Sequence, residues 1–224
     1  MNLLSTIVCA LLIGCGQNES AKQPHGDDGA NGTRPMTGRE IPDKSNRGDD
    51  VIDSAARAER VRSVADSILG FIKRKEAYKL ARFMHSEWGV RFSPYGYVDT
   101  TSDIRIEGEK HMRDLEATGE RILWGSYDGS GDSIFLDLPT YLDRFVYDAD
   151  FLNAERIEIN AFIGGGNSLN NLLEVYPDCD FIEYHFSGFD EKYGGMDWRS
   201  LRLVFRTERD RVYLIGIVHD EWTI

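Results

Sequence analysis

Apolar residues recur at helical spacing in the region that follows residue 50. The repeat consists of Val61, Val64, Ala65, Ile68, Leu69 and Ile72. This spacing of three and four residues predicts an amphipathic helix. Asp53 or Ser54 can cap its first turn, because their side chains accept hydrogen bonds from free backbone amides. Shorter patterns predict further helical segments at 77–84, 106–115, 140–147 and 168–176.

Alternation at every second position dominates the second half of the chain. Extended segments are predicted at 89–98, 122–127, 157–163, 181–186, 201–206 and 212–218. The turn around Arg209 and Asp210 suits a hairpin between the last two strands. Helices that precede antiparallel strands indicate an α+β fold, with the helices packed on one face of the sheet.

This order of elements resembles the nuclear-transport-factor-2-like fold, which polyketide cyclases and ketosteroid isomerases share. The similar segments are residues 68–72, 80–85, 201–205 and 213–217. The resemblance covers roughly two thirds of residues 51–224 and implies a curved, cone-like antiparallel sheet with a pocket on its concave side. Three further segments, at 91–95, 124–129 and 195–198, resemble bacterial lipoproteins of unknown activity. That second resemblance implies a location and no reaction.

A short apolar run at the N-terminus leads directly into Cys15 through Leu12, Ile13 and Gly14. The run is too short to span a bilayer as a helix, which needs about 20 apolar residues. The pattern is typical of a bacterial lipoprotein signal, in which the run is removed and the cysteine is acylated. We therefore expect residues 1–15 to be signal peptide and lipobox, with Cys15 as the lipidation site. No Lys or Arg precedes the run, which departs from the usual pattern.

Residues 16–50 are polar and rich in glycine, so they cannot bury enough apolar surface to fold. We expect a disordered tether, which would let the domain reach roughly 30–35 Å from the lipid. Residues 51–224 then form a single domain. Acylation at Cys15 would place this domain outside the cytoplasm, on the cell membrane or the outer membrane.

The chain carries 38 acidic and 26 basic residues, a formal net charge of -12. Nucleic-acid binding requires the opposite excess on one face, so we expect no nucleic-acid partner. We expect the contact with the membrane to rest on the acyl chains. Once Cys9 leaves with the signal and Cys15 is acylated, Cys179 remains alone, which predicts no disulfide framework.

Three polar residues form the candidate catalytic set. On one strand Glu183 and His185 share a face, opposite Ile182 and Tyr184, and on the next strand Arg202 lies opposite the apolar face. If this polar face lines a pocket, Glu183, His185 and Arg202 would act as base, acid and anion clamp. The alternative interpretation, which we favour, is a solvated sheet face without catalysis.

Other patterns give weaker indications of ligand binding. His219, Asp220 and Glu221 are consecutive, so strand alternation prevents all three from facing one metal ion. The turn that begins at Asp128 starts like a calcium loop but has Pro139 where the loop requires glutamate. We therefore expect no metal and no cofactor.

Aromatic residues supply the remaining indication of function. Trp88, Phe92, Tyr95 and Tyr97 lie close together in the sequence and can form a wall for a sugar or peptide. A role in the core is the simpler interpretation. The leading hypothesis is a non-enzymatic lipid-anchored domain that binds a small apolar ligand or an envelope protein. The alternative is a cofactor-independent isomerase, lyase or cyclase that uses Glu183, His185 or Asp197, and a third is a purely structural envelope protein.

Overall fold

The computed structural model describes residues 47–166 and 169–223, with side chains from residue 53 onward. The predicted signal at 1–15, its lipidation site Cys15 and the tether up to residue 46 lie outside the described residues. The first helix begins at Arg47. Residues 47–50, which the sequence assigns to the tether, therefore belong to this helix.

The described residues form one long α-helix, three shorter α-helices and eight strands. The α-helices are α1 (Arg47–Lys73), α2 (Gly108–Thr118), α3 (Leu138–Phe145) and α4 (Leu172–Val175). The strands are β1 (Val90–Ser93), β2 (Arg105–Ile106), β3 (Arg121–Ser126), β4 (Ser133–Asp137), β5 (Arg156–Ile159), β6 (Asp180–Phe186), β7 (Arg199–Glu208) and β8 (Arg211–Glu221). Single turns of 3-10 helix occupy Phe151–Asn153 and Glu191–Tyr193, and a longer one occupies Ala77–Phe83.

Helix α1 ends in a left-handed turn rather than by fraying. Lys75 adopts φ 59°. The amide of Glu76 donates to the carbonyl of Phe71 at 2.9 Å, and the amide of Lys75 donates to that of Ile72 at 2.9 Å. This pair of bonds defines a Schellman motif, which satisfies carbonyls that the helix end leaves free. The chain is thereby redirected into the 3-10 helix at Ala77–Phe83.

Six strands form the main sheet in the order β2-β1-β8-β7-β6-β5. Neighbours are antiparallel, except that β1 runs parallel to β8. Strands β3 and β4 form a separate antiparallel pair. The α+β fold class is confirmed, as is the predicted hairpin between β7 and β8. No helix in the described ranges combines the length and the apolar character needed to cross a membrane.

The larger core lies between the helices and one face of the sheet. Helix α1 contributes Val61, Ala65, Ile68, Leu69 and Ile72, and the sheet contributes Ile182, Tyr184, Leu201, Leu203 and Phe205. The predicted alternation on β6 and β7 is confirmed, because these apolar side chains share one face. Helices α1, α2 and α3 pack on this face, as the sequence predicts, whereas α4 does not.

The second face of the sheet is covered as well. A smaller cluster of Val98, Leu172, Phe181, Val204, Ile215 and Val218 lies there. Leu172 begins α4, so this short helix covers the part of the sheet that the long helix does not reach. The favoured interpretation of a solvated polar face is wrong for this sheet, since Glu183 and Arg202 are both 0% exposed. Their charges must be satisfied inside the protein.

Candidate functional site

Glu183 and Arg202 meet on the second face of the sheet, where β6 and β7 place them directly opposite each other. The guanidinium donates to both carboxylate oxygens of Glu183, at 3.1 and 3.2 Å. It also donates to Asp220 on β8 at 2.9 Å. Alternation thus separates three consecutive ionisable residues of β8: Asp220 faces this network, and His219 and Glu221 face the other side.

Charges in this network act against the cost of burial. Burial lowers the pKa of Arg202, but the adjacent Glu183 and Asp220 outweigh it, so its pKa is raised and the cation is retained. Burial also raises the pKa of Asp220, and here the charge of Arg202 does not fully compensate. The Oδ1 atom of Asp220 is buried without a hydrogen bond from the described residues. Asp220 is therefore the member of the network whose buried charge is least well compensated.

A segment at residues 160–166 crosses over this network and closes it. The Glu183 carboxylate accepts from the amides of Ile163 at 3.1 Å and Gly164 at 3.0 Å. Arg202 donates to the carbonyl of Gly164 at 3.2 Å. A Cβ at Gly164 would clash with Ser200 Oγ and lie 2.8 Å from His185 Nδ1. Glycine is required because the backbone passes so close to the sheet.

His185 lies on the same face as Glu183 and Arg202 but has a partner of its own. Its Nδ1 lies 2.8 Å from Ser200 Oγ. Burial lowers the pKa of His185, so the imidazole is neutral near pH 7. The structure therefore brings the three predicted residues to one face of the sheet. Glu183 and Arg202 already make hydrogen bonds there with each other and with neighbouring residues. Asp197, named as an alternative acid or base, accepts from the amides of Phe189 and Asp190 in a turn.

A second polar cluster joins Asp148, His219 and Glu221, whose ligand atoms lie within 4.8 Å of one another. Arginines already pair with both carboxylates. Arg199 Nε lies 2.8 Å from Asp148, and Arg144 lies 2.6 Å from Glu221. A metal ion would have to displace these cations, so the donor set fits an ion-pair network better than a metal site.

A cleft of about 540 Å³ is lined by other side chains, which belong to neither network. Its walls are the loop that follows β1, the end of β3, and Leu169 and Thr223. Its aromatic and acidic lining residues are Tyr95, Tyr97, Tyr127, Asp99, Asp103 and Asp128. This volume lies within the usual range of about 300–1,000 Å³ for small-molecule sites. The cleft is therefore the best candidate for a binding site among the described residues.

Asp103 is the buried acid of the cleft, with 9% of the residue exposed. Ser93 Oγ donates to its Oδ2 at 2.5 Å, and the amide of Asp99 donates to the same atom at 2.9 Å. Burial outweighs these bonds and raises the pKa of Asp103 to about 6. The Oδ1 atom lies 3.8 Å from the position of a Cβ on Gly125, on the wall of the cleft. A protonated Asp103 can donate to a ligand, and an ionised one can accept.

Asp99 holds the loop that carries Asp103. Its carboxylate accepts from Thr101 Oγ1 and Ser102 Oγ, each at 2.6 Å, and from the amide of Thr101 at 2.8 Å. These bonds lower the pKa of Asp99 far below its usual value. Asp99 thus stays ionised and fixes the loop, whereas Asp103 titrates near neutral pH.

Phe145 fixes the aromatic walls of the cleft from below. Tyr95 packs edge-on against its ring at a centroid distance of 5.8 Å, and Tyr127 packs at 6.0 Å. Tyr97 is half exposed. Of the predicted aromatic wall, Tyr95 and Tyr97 line the cleft, while Phe92 is buried in the core and Trp88 lies elsewhere.

The turn at Asp128 closes the rim of the cleft as a tight polar turn. Asp128 accepts from the amide of Gly129 at 3.0 Å, and the amide of Gly131 donates to the carbonyl of Tyr127. Sequence reasoning missed Asp103 and Tyr127 as site residues. Their spacing carries no signal, because β1, β3 and the chain that follows β8 meet only in the folded state.

Comparisons of this chain with protein-family models, curated proteins and solved structures found no match. The resemblance to the nuclear-transport-factor-2-like fold stays a prediction. Function must therefore be argued from the cleft itself.

Proposed function

We propose that this protein is a lipid-anchored extracytoplasmic binding domain that holds a small ligand in the cleft at Asp103. The observation that carries this proposal is a buried carboxyl group in a cleft with tyrosine walls. Aromatic faces bind flat apolar surfaces, and a single buried polar group selects the orientation of the ligand.

The lining of the cleft indicates the chemistry of its ligand. Tyr95 and Tyr127 are held by Phe145, so their rings can contact a ligand without first becoming ordered. Ser102 and Ser126 add hydroxyl groups to the lining. A compact ring compound with hydroxyl or amine groups, such as a monosaccharide or an aromatic amine, satisfies both the apolar and the polar surfaces.

Blocking the cleft tests this proposal. Ser126 is an exposed residue of the lining, so Ser126→Trp would fill the cleft and leave the core unchanged. Ser130→Trp, in the neighbouring exposed turn, is the matched control. Ligand-observed NMR with a panel of monosaccharides and aromatic amines should show binding to the wild type and to Ser130→Trp. The proposal would be refuted if the panel compounds bound the wild type, Ser126→Trp and Ser130→Trp equally, or if no compound bound the wild type.

Lipid anchoring has its own test, because Cys15 lies outside the described residues. Mass spectrometry of the membrane fraction from a bacterial host should find a chain that begins at Cys15 and carries acyl groups. Cys15→Ser should move the protein to the soluble fraction. A chain that retains residues 1–14 and an unmodified Cys15 would refute the location, while leaving the cleft proposal standing.

An acid–base enzyme is the second candidate, and one observation favours it. General acid–base groups work best when their pKa lies near the working pH, and burial raises the pKa of Asp103 to about 6. This candidate moves the acid–base role from Glu183 and His185, which have internal partners, to Asp103. Turnover of any panel compound, abolished by Asp103→Asn, would support catalysis over binding.

A further inference from the structure

A second cleft, of about 270 Å³, lies on the sheet face that carries Val204 and Ile215. Three arginines line it, against one carboxylate. They are Arg91 on β1, Arg105 on β2 and Arg206 on β7, and the carboxylate is Asp178. A local excess of positive charge is unexpected in a chain with a net charge of -12. We propose that this arginine cleft binds the phosphate group of a small molecule or of a lipid.

The sheet places two of these arginines next to each other. Arg91 and Arg105 are direct cross-strand partners in the antiparallel pair of β1 and β2. Like charges directly opposite each other destabilise a sheet. A bound dianion would convert this repulsion into attraction.

Arg91 is the best-prepared donor of the three. Its described hydrogen bonds go to carbonyls rather than to carboxylates: Nη1 donates to Asp103 at 3.0 Å and to Thr100 at 3.3 Å. These bonds orient the guanidinium, but they do not neutralise its charge. The planar fork of arginine matches two phosphate oxygens.

The other two arginines have partners that a phosphate can replace. Arg105 pairs with Glu107 at 2.5 Å and Arg206 pairs with Glu208 at 3.3 Å, and all four side chains are at least 39% exposed. Exposed pairs of this kind contribute little to stability. Arg206 also lies over the ring of Trp88, 3.8 Å from its centroid, which fixes the guanidinium plane.

Tyr176 supplies a further donor at the floor of the cleft. Burial raises the pKa of Tyr176 to about 12, while the nearby charge of Arg91 acts in the opposite direction, so the hydroxyl keeps its proton. This hydroxyl is buried and has no hydrogen bond of normal geometry with a described residue. A phosphate held by Arg91 would offer it an acceptor.

Titration of the purified full chain with inorganic phosphate tests the site. Phosphate should shift the Trp88 indole resonance, assigned with Trp88→Phe, and isothermal titration calorimetry should give its dissociation constant. Arg91→Gln should raise that constant about tenfold or more, because a charged hydrogen-bond pair is lost. Arg91→Lys should recover only part of the affinity, since a point charge replaces the fork. Arg156→Gln removes the same charge from β5, where the side chain is 56% exposed, and should change the constant less than about twofold.

The source of the phosphate is distinguished by adding vesicles of phosphatidylcholine with and without phosphatidic acid. Binding that depends on phosphatidic acid and is weakened by Arg91→Gln supports a lipid headgroup, and binding of free phosphate supports a soluble ligand. Equal binding by Arg91→Gln and Arg156→Gln, or no binding of either probe, overturns the proposal. Circular dichroism verifies folding, and Arg105→Gln replaces Arg91→Gln if that variant unfolds. The two clefts have different lining residues, and Arg105→Gln leaves the contact of Arg91 with the Asp103 loop in place, so with that variant each proposal can fail alone.

Discussion

Replacing Arg202 with methionine tests whether the buried charges of the sheet are held by mutual neutralisation. Methionine retains much of the side-chain volume and removes the charge and all four of the hydrogen bonds described for Arg202. Glu183 and Asp220 then remain as buried carboxylates, 0% and 4% exposed. Removing one partner of a buried ion pair costs about 3–5 kcal/mol. We expect Arg202→Met to lower the free energy of unfolding by about that amount at pH 7.

Urea denaturation of the full chain, followed by circular dichroism, measures this loss. Arg156→Met is the matched control, because that side chain is 56% exposed and lies 3.8 Å from Glu158. Its change should stay below about 1 kcal/mol. The loss in Arg202→Met should shrink as the pH falls. A buried carboxyl group without a partner has a raised pKa in the folded state. The variant is therefore most stable at low pH, where this group is protonated, and loses stability as the pH rises through that pKa.

A triple variant decides between lost charge balance and lost packing. Adding Glu183→Gln and Asp220→Asn to Arg202→Met removes the two uncompensated charges. A buried neutral amide costs less than a buried charge without a partner, so the triple variant should regain part of the stability. A loss below about 1 kcal/mol in Arg202→Met, or a triple variant no more stable than it, would refute the electrostatic reasoning.

Three other predictions follow from the cleft and the glycines. Folding raises the Asp103 pKa from 3.8 to about 6, so the free energy of unfolding should fall by about 2 kcal/mol as the pH rises from 4 to about 6.5. Asp103→Asn should flatten this pH dependence in thermal melts, and an unchanged slope would contradict the prediction. Gly164→Ala should destabilise the fold by about 1–3 kcal/mol in urea, because its Cβ meets Ser200 and His185. Gly125→Ala should lower the melting temperature measurably, since φ 129° strains any side chain, and an unchanged melting temperature would contradict this prediction.

Local periodicity was sufficient to predict the main elements of the fold. The apolar repeat from Val61 to Ile72 and the apolar alternation on β6 and β7 each identify the face that packs in the larger core, and the structure confirms these faces. The sequence did not predict β2 or β4. Strand β2 has two residues, too few for a period, and β4 begins directly after the turn that contains Gly129 and Gly131.

The candidate site was harder to predict because its residues have no common local pattern. Alternation placed Glu183 and Arg202 on one face correctly, but it could not reveal that residues 160–166 cover that face. Asp103 lies in a loop whose position depends on the parallel pairing of β1 with β8. Such long-range pairing is determined by packing of the whole domain, so short windows of sequence do not encode it.

The position of β8 inside the sheet determines when this domain can finish folding. Because β8 lies between β1 and β7, the pair formed by β1 and β2 has no place to dock until residues 211–221 are available. Contacts of such wide sequence separation form slowly, since a long loop must close first. During synthesis from the N-terminus, the main sheet therefore stays incomplete until residues 211–221 have emerged.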